Sequence, residues 1–267
     1  MNNKHIISIV GAGPGDPELL TVKASRRIHE ADAILHDALH GEAILDLASH
    51  AELVYVGKHC SDGQNPIERQ KAIHLLMYQY AQQGKKVVRL KAGDPMIFGR
   101  GAEEIRFCKE NNLNYEVIPG VTAAVAAASL LEVPLTERNK SPMVLLYTGT
   151  LMKDEVTNIN SVYEVLKCGG SVSLYMGLKN ISTLAKQVVD RGINPETPVQ
   201  IISKISQKDQ QIVSTRLSEI HQLMQNKKTA TPAIFLLGKY ASQISLKDKT
   251  DYAYDNTLHA FNSFSPA

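Results

Sequence analysis

Ten short apolar runs, separated by stretches with helical spacing, constrain the fold more than any other feature of the 267-residue chain. The runs are His5–Val10, Ala33–His36, Leu53–Val56, Val87–Leu90, Tyr115–Ile118, Met143–Tyr147, Ser171–Met176, Pro198–Ser203, Gln211–Ser214 and Ala233–Leu237. Between them, Leu20, Ala24, Ile28 and Ala31 fall on one helical face. Ile73, Leu76, Met77 and Tyr80 fall on another, as do Ile181, Leu184, Ala185 and Val188. Strand–helix alternation predicts an α/β fold with largely parallel pairing. Gln211–Ser214 follows Pro198–Ser203 so closely that the second half is expected to be mixed.

The polar stretch Thr136–Pro142 sets a boundary. The expected organisation is an α/β domain over 1–138, a second over 139–240, and a polar tail over 241–267. Lys and Arg total 29 against 27 Asp and Glu, a net charge of +2, which gives no nucleic-acid footprint. No apolar run reaches the roughly 18 residues of a membrane span, and Ile6–Val10 is too short for a signal peptide. The reading is therefore cytoplasmic, with no membrane partner. Cys60, Cys108 and Cys168 are few and scattered, which argues against disulfides and against a C-x-x-C site.

Three loops carry glycine after a strand. The first, Gly11-Ala12-Gly13-Pro14-Gly15-Asp16, fails as a dinucleotide fingerprint because Asp16 stands where the third glycine belongs. Asp16 would repel a pyrophosphate, and Pro14 lacks the N–H that a phosphate would use. A nicotinamide dehydrogenase is disfavoured accordingly. The second loop, Arg89-Leu90-Lys91-Ala92-Gly93-Asp94-Pro95 and onward to Glu104, combines glycines with Asp94, Arg89, Lys91 and Arg100. The third is Pro119-Gly120-Val121-Thr122-Ala123. Together they predict a cleft for a small ligand carrying little negative charge.

Val10–Ala24, Arg89–Glu104, Ile118–Ala123, Val133–Arg138 and Tyr175–Leu178 resemble, in order, the signature blocks of the tetrapyrrole methylases. Within that family the chain is most similar to the S-adenosylmethionine-dependent uroporphyrinogen-III C-methyltransferases. The resemblance implies two α/β domains with a ligand cleft between them, a homodimer, and a tetrapyrrole substrate. It implies S-adenosylmethionine as cofactor and S-adenosylhomocysteine as product. Pro14, Ala92, Gly93, Asp94, Ile97, Thr122, Ala123 and Met176, with Ile205 and Ala233, then line the cofactor site. Arg100, Glu103 and Arg138 hold the tetrapyrrole, and Arg89 adds positive charge beside it. Asp37 matches the family's proton acceptor and Lys58 its proton donor. The implied reaction is two methylations, at C2 and C7, giving precorrin-2.

Without the resemblance, Asp37 also reads as a turn residue, Lys58 as a solvated lysine, Met176 as core, and Arg100 and Arg138 as surface pairs. The chain departs from the family pattern at His36, His40, His59, Ala92, Ala102 and Glu137. These departures keep two alternatives open: a sister precorrin methyltransferase acting on another ring carbon, or a non-catalytic binding homologue. A metal cluster of His36, His40, His59 and Cys60 is weighed against local hydrogen bonding of those side chains, and no metal is expected.

Overall fold

The computed structural model describes residues 7–37, 42–57, 65–149, 159–226 and 229–242. All ten apolar runs form strands, within a residue or two of their expected ends. In chain order the first half contains β1 (Ile7–Gly11), α1 (Val22–His29), β2 (Ala33–His36), α2 (Glu42–Leu45) and β3 (Glu52–Tyr55). It continues with α3 (Pro66–Gln82), β4 (Val87–Lys91), α4 (Gly101–Glu110), β5 (Tyr115–Ile118) and α5 (Ala123–Leu130). The second half contains β6 (Val144–Thr148), α6 (Ile159–Lys167), β7 (Ser171–Tyr175), α7 (Ile181–Asp190), β8 (Pro198–Ser203), β9 (Gln211–Arg216), α8 (Ile220–Asn226) and β10 (Ala233–Leu237).

The strands form two five-stranded sheets. The first, in order β3-β2-β4-β1-β5, is parallel throughout. The second, β6-β7-β10-β8-β9, pairs only β6 with β7 in parallel. The antiparallel component expected from the Pro198–Gln211 spacing is therefore β8–β9, joined by β10.

Helices cover both faces of the first sheet, which is why β1 and β2 read as nearly continuous apolar runs. Ile7 and Ile9 of β1 pack toward Ile73 and Met77 of α3. Val10 points the other way, to Ala24 and Ile28 of α1. In the second sheet one face packs on the α7 stripe Ile181, Leu184, Ala185 and Val188. The other face receives α5, through Ala124, Ala126 and Ala127 against Ile202, Ile234 and Leu236. The two halves thus share a core through α5. Among the described residues no helix is long and apolar enough to cross a membrane.

One polar group fastens α1 to this frame. Glu116 of β5 accepts from Ser8 Oγ at 3.0 Å and pairs with Lys23 at 2.7 Å and with Arg27. Burial opposes the charged carboxylate, but hydrogen bonds from Arg27, Lys23 and Ser8 outweigh it and hold the pKa at about 2. An unfolded glutamate titrates near 4.3, so the folded value is depressed. The stabilisation is full above about pH 5 and is lost as pH falls toward about 2, roughly 2–3 kcal/mol in all. Glu116→Gln should therefore lower neutral-pH stability by about that amount and flatten the acid limb, as read by denaturant unfolding between pH 2 and 7. An unchanged acid limb would contradict the assignment.

Candidate active site

The chain turns from β1 and β4 into two loops at the carboxyl-terminal edge of the parallel sheet. There β1 runs on to one side through α1 and β2, while β4 crosses to β5 on the other, which is where open α/β sheets form a crevice. The loops stay paired past the strands. Ala12 N–H donates to Lys91 O at 2.7 Å, and Gly13 and Gly93 exchange backbone hydrogen bonds at 3.2 and 2.8 Å. A Cβ on Gly11 would lie 2.5 Å from Gly120 N, so the third loop packs backbone to backbone on the first.

The second half closes the crevice. Asp16 N–H donates to Ser206 Oγ at 3.1 Å, and Gln207 Nε2 donates to Pro14 O at 3.4 Å. From the end of β7, the Tyr175 hydroxyl lies 2.7 Å from Thr122 Oγ1 and accepts from Ala124 N–H at 3.1 Å, which satisfies a donor in the first turn of α5. Burial pushes the Tyr175 phenol upward in pKa, keeping it neutral. Its ring meets Phe98 at 4.9 Å.

Between these loops lies a cleft enclosing, with its mouth, about 860 Å³. Pro14, Ala92, Gly93, Ile97, Thr122, Ala123, Met176, Ile205 and Ala233 line it, nine of the ten residues expected around a cofactor. The tenth, Asp94, is set into the loop framework: its Oδ1 accepts from Met96 N–H at 2.8 Å and its Oδ2 from Gly120 N–H at 3.1 Å. Phe98, Tyr175, Ile202 and Pro232 also line the cleft and were not singled out from the sequence. Tyr175 directly precedes Met176, but only its cross-chain bond to Thr122 reveals its place. No Lys, Arg, Asp or Glu is among the described lining residues. The walls are apolar, with the hydroxyls of Thr122 and Tyr175 as side-chain polar handles.

Asp37 follows β2 on the same edge, 27% exposed, with Arg89 Nη2 at 3.7 Å from Oδ2. Its neighbour His36 places Nδ1 3.3 Å from the Asp37 carbonyl and its ring edge-on to Tyr55 at 5.7 Å. Lys58 lies outside the described residues, as do His40, His59 and Cys60 of the weighed metal cluster. Among the described residues no group of three or more His, Cys, Asp or Glu could hold a metal.

Arg89 differs from its expectation as a substrate-facing cation. It is only 5% exposed, and Glu104, Asp37 and two backbone carbonyls occupy its guanidinium. The pleat directs it into the sheet–helix interface, where a buried arginine requires partners. Arg100 and Glu103 do come together at the start of α4, in a fork of two 2.7 Å hydrogen bonds. The Arg100 guanidinium holds the Glu103 carboxyl below the usual range. Arg138 is exposed on the connection between α5 and β6, where Glu137 pairs with Lys140 at 2.7 Å.

Comparison with known proteins gives these features a context. Residues 7–221 match the family model of the tetrapyrrole (corrin/porphyrin) methylases. The chain is 42% identical over 242 residues to a siroheme synthase of Psychrobacter arcticus, covering 90% of this chain and 43% of that protein. It therefore spans less than half the length of that relative. It is 38% identical to an S-adenosyl-L-methionine-dependent uroporphyrinogen III methyltransferase of Methanosarcina barkeri, covering 87% of this chain and 90% of that one. A Thermus thermophilus uroporphyrin-III C-methyltransferase, solved with S-adenosylhomocysteine, superposes with a TM-score of 0.73 at 34% identity, over 88% of this chain and 92% of that one. A cobalt precorrin-4 methyltransferase superposes with a TM-score of 0.77 at 26% identity, over 91% and 98%.

Proposed function

The chain belongs to the tetrapyrrole methylase family, and on that premise we propose that it transfers methyl groups from S-adenosylmethionine to C2 and C7 of uroporphyrinogen III. The products are precorrin-2 and two molecules of S-adenosylhomocysteine. The observation that carries this reading is the cleft itself, lined by nine of the ten residues that the resemblance assigns to the cofactor. Its chemistry fits that cofactor. Apolar walls suit an adenosyl group, two hydroxyls and close-packed loop backbone offer hydrogen bonds, and among the described lining residues no basic side chain waits for a phosphate the cofactor lacks. When bound, the cofactor supplies an electrophilic methyl on a sulfonium.

The residues of the chain then position, neutralise and move a proton. Residues 1–138 supply the loops and 139–240 the lid formed by Tyr175, Met176, Ile205 and Ala233. Arg100 turns its fork from Glu103 to a substrate carboxylate, a bidentate match that a lysine would not give. Arg138 binds a second carboxylate. Asp37 accepts the proton that leaves the macrocycle after the new carbon–carbon bond forms, and Lys58 acts as donor. The protein works in the cytoplasm as a homodimer.

A sister reaction on a later corrin intermediate is the second reading, favoured by the TM-score of 0.77 to the precorrin-4 enzyme. The higher identity to the uroporphyrinogen enzymes, 38% and 34% against 26%, favours the first. Methyl groups labelled with carbon-13 decide between them. Two labelled methyls at C2 and C7 of the product are expected by NMR. Label on another ring carbon, or only on a corrin intermediate, would overturn the assignment of position.

A further inference from the structure

Arg89 and Lys91 alternate with Val88 and Leu90 along β4, so both cations point to the same face of the parallel sheet. There they meet Glu104, in the first turn of α4 and fully buried. Its Oε1 accepts from Arg89 Nε at 3.0 Å and from Lys91 Nζ at 2.9 Å. Its Oε2 has no hydrogen-bond partner among the described residues. Arg89 Nη1 donates to Leu35 O at 3.2 Å and to Leu90 O at 2.7 Å. Because the guanidinium is a rigid plane, fixing Nε and Nη1 also fixes Nη2, and Nη2 is the nitrogen 3.7 Å from Asp37.

The charges lead to the same arrangement. Two cations at 5–6% exposure face one fully buried anion, so the cluster is one negative charge short. A buried excess charge is costly, and Asp37, at the Nη2 end of the same guanidinium, supplies the missing anion. Burial, with Arg89 alongside, pushes the Lys91 ammonium down in pKa, while Glu104 opposes that.

We propose that Glu104 is a positioning residue that acts through Arg89 to hold the Asp37 carboxylate at the carboxyl end of β2, with Lys91 completing the buried group. The assignment rests on the reading of Asp37 as the proton acceptor. Glu104 touches neither substrate nor cofactor in this scheme. Its effect on the rate comes from fixing the guanidinium plane whose Nη2 faces the Asp37 carboxylate.

Two readouts test it, one of them independent of activity. With aspartate labelled at Cγ and the Asp37 signal assigned by its loss in Asp37→Asn, Glu104→Gln should move that carbon resonance and leave that of Asp209 in place. Arg89→Lys, which keeps the charge but removes the fork, should move it in the same experiment and serves if Glu104→Gln does not fold. In steady-state kinetics, Glu104→Gln should lower kcat by roughly 10²-fold, the scale of a misplaced reacting group, with the KM for the cofactor unchanged. In an Asp37→Asn background the same change should cost less than about twofold, since coupled residues are non-additive. An unmoved Asp37 resonance, or equal losses in both backgrounds, overturns the proposal. If the wild-type chain transfers no methyl at all, the functional reading fails, and the resonance alone decides the coupling.

Discussion

Asp37→Asn is expected to slow methyl transfer by roughly 10²- to 10⁴-fold, the range typical of a lost general base. Asparagine preserves the size of the side chain but cannot take up a proton. The fold should survive, because Arg89 remains held by Glu104 and by the carbonyls of Leu35 and Leu90. Asp37 is also 27% exposed, so water can compensate part of the lost charge. Cofactor affinity should change little, since Asp37 is not among the residues lining the cleft. Single-turnover kinetics and calorimetry with S-adenosylhomocysteine check the two halves of this expectation. A rate within a few-fold of wild type would remove Asp37 from the chemistry.

Gly120→Ala should damage stability and cofactor binding together. A Cβ at this position would sit 2.8 Å from Gly11 C, 2.9 Å from Gly11 Cα, and against the carbonyl oxygen of Gly93. All three are backbone atoms of the loops that end β1 and β4, so no flexible side chain can give way. The loops must separate, and the 3.1 Å bond from Gly120 N–H to Asp94 would be strained or lost. Overpacking of this kind costs about 1–3 kcal/mol. In a chain of this size each kcal/mol lowers the melting temperature by about 2–4 °C. Because Ala92, Gly93 and Thr122 on these same loops line the cleft, affinity for S-adenosylhomocysteine should fall about tenfold or more. Wild-type melting and affinity would show that the loop contact has no role in shaping the cleft.

The strands were legible because the central parallel strands β1, β2 and β4 are buried on both faces and read as largely apolar runs, while the helices show one apolar stripe. Composition alone could not place the cleft. The failed dinucleotide spacing at Asp16 narrowed the ligand, and the resemblance supplied the lining positions. Arg89 shows where local reading stops. A cation at the carboxyl end of a strand suggests a ligand contact, yet Arg89 and Lys91 share a pleat face and pair with Glu104, more than ten residues away. The alternation Val88-Arg89-Leu90-Lys91 inside a buried run, followed by an acid in the first turn of the next helix, was the available signal for an internal charge group. Asp94, expected among the residues lining the cofactor site, instead uses its oxygens to hold Met96 and Gly120. Tyr175 joins the cleft only because β7 of the second sheet delivers its hydroxyl to Thr122 of the first half, a contact across 53 residues that no local spacing encodes.

Anaerobic incubation of the purified chain with uroporphyrinogen III and S-adenosylmethionine, followed by mass spectrometry of the macrocycle, tests the central claim most directly. The account predicts a gain of two methyl groups per tetrapyrrole, with two S-adenosylhomocysteines released. Cofactor binding by calorimetry with no change in the mass of the macrocycle would contradict it, and would leave a later corrin intermediate as the substrate or a binding homologue that keeps the cleft without the reaction.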